Sequence, residues 1–137
     1  MAIEHLAASL QFWRDNQLAQ PDGVWERLVI APGDSIRVQT EPIPRIDIIA
    51  TGLSVFELDE EPSAQFTDDL RSRLIRTGNW LSRQSPEVFA DARGAGCDVR
   101  LVIVLWATDS HFELNVPTSL LRACGELEIG LTVTGSD

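Results

Sequence analysis

Asp109, Ser110 and His111 are the three residue types of a hydrolytic triad, in which a nucleophile, a base and an orienting carboxylate hydrogen-bond in line. Here they are consecutive, and adjacent side chains do not converge in that way. They fall where a tight connection is expected, and Asp and Ser favour turns by bonding their own backbone. They are read as a turn. His111 with nearby carboxylates remains the reactive group of an alternative reading, a small enzyme or ligand-binding domain with a pocket near it. Nitrogen and sulfur ligands for zinc are confined to His5, Cys97, His111 and Cys124, none at the paired spacing of a local site. Neither a metal nor a cofactor is expected. Gly94-Ala95-Gly96 has the look of a phosphate loop but follows a helical pattern and precedes an apolar run. That is the reverse of the strand-loop-helix order that aims N–H groups at an anion. It reads as a helix stop. Glu126 and Glu128 read as neighbours on the wet face of a strand, without the burial that acid–base catalysis by paired carboxylates requires.

Two charged groups suit binding better than catalysis. Glu57, Asp59, Glu60 and Glu61 lack the register of a calcium loop, and they precede the longest helical pattern, where acidic residues favour the positive helix end. Within that helix Asp68 and Arg71, like Asp69 and Arg73, have the spacing of helical ion pairs. Arg76, Trp80 and Arg83 are left over, and Arg with Trp is the combination enriched at the energetic centres of protein interfaces. A half-buried Trp80 with its arginines extended along the rim is the competing explanation. Candidate protein-contact residues are therefore Glu57, Asp59, Glu60, Glu61, Arg76, Trp80 and Arg83.

The whole chain bounds these readings. Its 137 residues, 44% hydrophobic and 23% charged, suit a single domain over 1–137, long enough to fold on one core without staples. Twenty-one acidic residues face eleven basic ones, all arginine, for a net charge of −10. That balance argues against nucleic acid and anionic membranes as partners, since both are bound by neutralising phosphate. Glu4 and His5 interrupt any secretory pattern, and the longest apolar run, Leu101 to Ala107, is about a third of the ~20 residues a spanning helix needs. A cytoplasmic protein with Cys97 and Cys124 as buried thiols is expected.

The elements that must position these residues follow from spacing and punctuation. Leu6, Ala8, Leu10 and Phe12 alternate as in a strand, while Ile3, Leu6, Leu10 and Trp13 fit a helical face, and spacing leaves both open. Pro21-Asp22 begins a short helix carrying Val24, Leu28 and Val29, which Pro32-Gly33-Asp34 ends. Pro42 and Pro44 make 35–45 an irregular or edge segment. Residues 46–58 read as a strand bulged at Gly52. Phe66, Leu70, Leu74, Ile75 and Leu81 recur at helical spacing, Ser85-Pro86 starts a further helix, and Gly94 to Gly96 stop it. Val99 to Trp106 reads as a central strand buried on both faces, with Phe112, Leu114 and Val116 as its hairpin partner. Pro117-Thr118 opens a short helix closed by Gly125, and a last strand points Leu127, Ile129, Leu131 and Val133 inward. The fold class is α+β: a mainly antiparallel sheet of about five strands, helices chiefly on one face, and the long helix as the main cover.

Ala8-Ser9-Leu10-Gln11-Phe12, Ala31-Pro32-Gly33-Asp34 and Ala92-Arg93-Gly94-Ala95-Gly96 together resemble a small bacterial family, the domain of unknown function numbered 4279. Phe112-Glu113-Leu114, Leu120-Leu121 and Leu127-Glu128-Ile129 are similar to its final strand, helix and strand. The sequence departs from that pattern at Leu53-Ser54-Val55-Phe56, where a tryptophan is usual. The resemblance implies a strand for 6–12 and implies no activity. Charge and elimination lead to a non-catalytic acidic binding protein, immunity- or antitoxin-like, that engages a basic protein.

Overall fold

The computed structural model describes residues 3–32, 34, 36–40, 44–52, 64–107 and 114–136, with backbone alone at 3–6, 49–52, 64–70, 106–107 and 136. Alternation wins at the start of the chain: β1 (Ile3–Arg14) is a strand, as the resemblance implied. It turns through Asp15 and Asn16, both at positive φ as a two-residue hairpin turn requires, into the short β2 (Gln17–Leu18). The helix begun near Pro21 is one turn, α1 (Val24–Arg27). The edge segment forms the three-residue β3 (Arg37–Gln39), which pairs with β4 (Arg45–Gly52). Then come α2 (Ala64–Ser82), α3 (Pro86–Gly94), β5 (Asp98–Ala107), α4 (Thr118–Leu127) and β6 (Gly130–Ser136).

These strands make one mixed sheet in the order β3-β4-β1-β5-β6, with β2 beside β1. Every pairing is antiparallel except β5 with β6, which is parallel because α4 carries the chain back between them. The sheet is thus mainly antiparallel within an α+β fold, as expected. The hairpin partner expected at Phe112, Leu114 and Val116 is not seen among the described residues: 114–117 is irregular, and β1 and β6 flank β5 instead. Phe112 and the turn expected at Asp109–His111 lie outside the described residues. The bulge also moves. Ala8 pairs with Ile49 and Ser9 with Asp47, so the extra residue of β4 is Ile48 rather than one at Gly52.

Burial on β5 alternates. Val99, Leu101, Ile103 and Leu105 are buried, whereas Arg100, Val102 and Val104 are only partly covered, so the expectation of two buried faces fails. The buried set joins Leu10 and Phe12 of β1, Ile46 and Ile48 of β4, and residues of all four helices in a single core. Phe12 stacks on Phe89 of α3 at 6.5 Å between ring centroids. The less covered face mixes Val102 and Val104 with polar residues that bond one another. Trp13 donates its indole N–H to Gln11 Oε1 (3.1 Å), and Gln11 donates to Ser9 Oγ (2.9 Å). Arg100 lies over the Trp13 ring at 5.2 Å and bonds Asp98.

Helix ends follow backbone bonding more than composition. α3 stops as expected: Gly96, at φ +91, donates to Arg93 O and Cys97 donates to Ala92 O, the two bonds of a Schellman motif. Pro86 takes its first turn, although the Ser85 side chain makes no capping bond. α4 runs through Gly125 to Leu127 and ends with the same motif on Glu128, at φ +55. Gly125 therefore does not close it, and Leu127 is a buried helical residue rather than part of a strand. Arg93 steadies this end by donating to Leu127 O at 2.9 Å and Glu128 O at 3.3 Å. No described helix is long and apolar enough to cross a membrane. Cys97 and Cys124 are free and buried, and burial raises the Cys124 thiol pKa above its ordinary value.

Helices α2 and α4 meet at a glycine. A Cβ on Gly78 would lie 3.0 Å from both the Cα and the N of Leu120, where backbone must shift, whereas one on Gly125 meets nothing within 4 Å. Gly78→Ala should therefore destabilise the fold by about 1–3 kcal/mol despite its better helix propensity. Gly125→Ala should stabilise it by up to about 1 kcal/mol. Denaturant unfolding of the two variants measures both signs, and a stabilised Gly78→Ala would contradict the close crossing.

Candidate functional site

Val29 and Ile30 follow the single turn of α1, and Pro32 disfavours helix at the residue before it. The chain accordingly leaves α1 in extended form at Leu28, and its backbone groups need partners elsewhere. They find them at the end of α2. Val29 N–H donates to Gln84 Oε1 at 2.8 Å, and Val29 C=O accepts from Gln84 Nε2 at 3.1 Å and from Trp80 Nε1 at 3.0 Å. Gln84 Nε2 also donates to Trp80 O at 2.9 Å. Its amide is satisfied on both donors and on its oxygen, which allows the side chain to be 4% exposed.

The far end of the loop is closed by Asp34. Its carboxylate accepts the Ala31 N–H at 2.6 Å and the Arg83 guanidinium at 2.6 Å. Those two interactions, the backbone bond first, hold its pKa below the ordinary 3.8. With its backbone fixed from both sides, the loop turns Leu28 into the core and leaves Val29 53% and Ile30 42% exposed. Apolar side chains on a fixed backbone can be buried by a partner without an ordering cost.

Asp22 and Glu26, just before the loop in sequence, and Glu87, at the start of α3, are exposed. The nearby arginines are engaged by carboxylates of the chain, Arg27 with Asp91 at 2.7 Å and Arg83 with Asp34 at 2.6 Å. Arg45 with Asp47, Arg93 with Glu128 and Arg100 with Asp98 form further ion pairs.

Sequence-expected residues are only partly brought together here. Glu57, Asp59, Glu60 and Glu61 lie outside the described residues, as does His111. Arg76 is exposed on α2. Trp80 requires a correction: it is 2% exposed, with its indole N–H bonded to Val29 O, and offers a partner no surface. Arg83 is exposed but held by Asp34. Glu126 and Glu128 do not share a strand face, since one is helical and the other ends the helix. Val29, expected on the inward side of a helix, Val133, expected to point inward from the last strand, and Ile30 are exposed residues that sequence reasoning missed. Only the Pro32-Gly33-Asp34 turn signalled a loop, because the contacts that expose Val29 come from a residue 55 positions away. Among the described residues, no three of His, Cys, Asp and Glu are grouped to hold a metal ion. No family model matches the chain, and no curated protein or solved structure matches it.

Gln84→Leu should cost about 1–3 kcal/mol by orphaning the Val29 N–H, and Val29 and Ile30 amides should lose hydrogen-exchange protection. Asp34 has a lowered folded-state pKa, so its contribution to stability is present above its ordinary pKa and fades as pH falls through the lowered one. The stability gap between the protein and its Asp34→Asn variant should accordingly close on acidification. A gap that widens toward low pH would refute the bonding assigned to Asp34.

Proposed function

We propose that this chain is a non-catalytic binding protein that engages a basic protein, as an immunity or antitoxin protein masks a positively charged toxin, and that the loop around Val29 and Ile30 is its contact. The observation that carries this reading is an exposed aliphatic pair on a clamped backbone in a chain of net charge −10. Protein interfaces combine a small apolar centre, which supplies most of the affinity, with a polar rim that selects the partner by charge. Exposed Asp22, Glu26 and Glu87 lie on neighbouring segments, and the exposed Arg27 and Arg83 are each paired with a carboxylate of the chain. The net charge of −10 extends the same preference over long range. Glu57, Asp59, Glu60 and Glu61 contribute to that field, while Trp80 supports the contact from beneath. Nucleic acid and anionic lipid are disfavoured by the same charge. Two buried free thiols suit a reducing compartment, and the proposal places the protein in the cytoplasm. Membership of family 4279 is part of the proposal, rests on the sequence resemblance alone and contributes no activity to it.

Capture of partners at low salt, with the protein and its Val29→Ser/Ile30→Ser variant as baits, tests the proposal. A basic polypeptide should be retained by the protein and lost with the variant. Its association rate should fall as salt rises, and also when Glu57, Asp59, Glu60 and Glu61 are neutralised together, with little change in dissociation. Equal retention by the variant, or a salt-independent association rate, would overturn it.

A further inference from the structure

The two edges of the sheet are built differently. β3 is three residues long, bears the exposed Arg37 and is followed by Pro42 and Pro44, all devices that discourage another strand from pairing. β6 has none of them. It runs seven residues, Gly-Leu-Thr-Val-Thr-Gly-Ser, with no proline and no charged side chain, in a chain that is 23% charged. Among the described residues its one strand neighbour is β5. Val133 at its centre is 41% exposed, and α4, which packs against β6, carries Leu121 at 49% exposure.

The centre of this strand, Thr132-Val133-Thr134, also matches itself. Antiparallel pairing of two copies about a two-fold axis at Val133 sets Val133 opposite Val133 and Thr132 opposite Thr134. Leu131 then faces Gly135, and Gly130 faces Ser136. Valine and threonine pairs are favourable across antiparallel strands, and no like charges meet at any position. For a chain of net charge −10, an uncharged strand is where a second copy can approach at least electrostatic cost. We infer that β6 is the interface of a symmetric homodimer in which two sheets join edge to edge, with a second copy of this chain as the occupant.

Sedimentation and site-directed crosslinking of the full chain test this. The protein should sediment at twice 15.2 kDa. Because both copies are acidic, dimerisation should strengthen from about 0.05 M to about 0.5 M salt, opposite in sign to binding of a basic partner. The two proposals therefore fail separately. Val133→Lys places two ammonium groups face to face and should halve the sedimenting mass with an unchanged circular dichroism spectrum. Val133→Cys, which needs no such tolerance from the fold, should join copies through a short thiol crosslinker, since residue 133 faces itself. Gly130→Cys alone should not, being six residues out of register with itself, about 20 Å, but mixed with Ser136→Cys it should. Cys97 and Cys124 are buried and do not compete. A monomer at the highest soluble concentration, or crosslinking of Gly130→Cys as efficient as that of Val133→Cys, would overturn the proposal.

Discussion

Strand β1 lies antiparallel to β5 from Ile3–Ala107 to Trp13–Asp98, and the remaining structure is organised around burying one side of that pair. Ala8, Leu10 and Phe12 share the buried side with Val99, Leu101, Ile103 and Leu105, so a one-residue slip would send each of them to the less covered face. The pairing also fixes where other strands can join. β4 adds beside β1 with an extra residue at Ile48, and β6 adds beside β5. Apolar area removed from water drives this arrangement, and its alternation makes the register specific.

The helices complete the core under a second constraint, the satisfaction of polar groups they bring with them, to which the buried Trp25 indole N–H of α1, without a partner among the described residues, is an exception. α2 approaches α4 through Gly78, where there is no side chain to hold the backbones apart. At its far end Trp80 and Gln84 are buried, and their N–H and C=O groups would be costly without partners. The extended backbone at Val29 meets that need and is held by it. Loop position and helix end are therefore one structural unit, with Arg83 and Asp34 closing it at the surface. Functional contact at Val29 and Ile30 would use a conformation that the fold already maintains.

Charge has a different role from either of these. Ion pairs such as Arg27–Asp91 and Arg93–Glu128 are exposed and contribute little to stability, and each cancels one carboxylate locally while the excess of 21 acidic over 11 basic residues leaves the net charge at −10. The result is a protein whose field has one sign while its uncharged features, the Val29–Ile30 loop and β6, are local. Long-range attraction and short-range contact are thus assigned to different residues.

Where local chemistry decides, the sequence was sufficient. The apolar run of β5, the proline that begins α3, the glycine at positive φ that ends it and the interrupted edge near Pro42 were legible because each depends on residues a few positions apart. The α+β class and the predominance of antiparallel pairing followed from those elements. By contrast, the burial of Trp80, the exposure of Val29, the extension of α4 past Gly125 and the parallel entry of β6 depend on partners distant in the chain. Propensity favoured a helix through Val29, but it is weak against a buried glutamine amide that binds extended backbone. A tryptophan at helical spacing reads the same from sequence on either side of a helix, and only the carbonyl waiting beneath α2 assigned Trp80 to the interior.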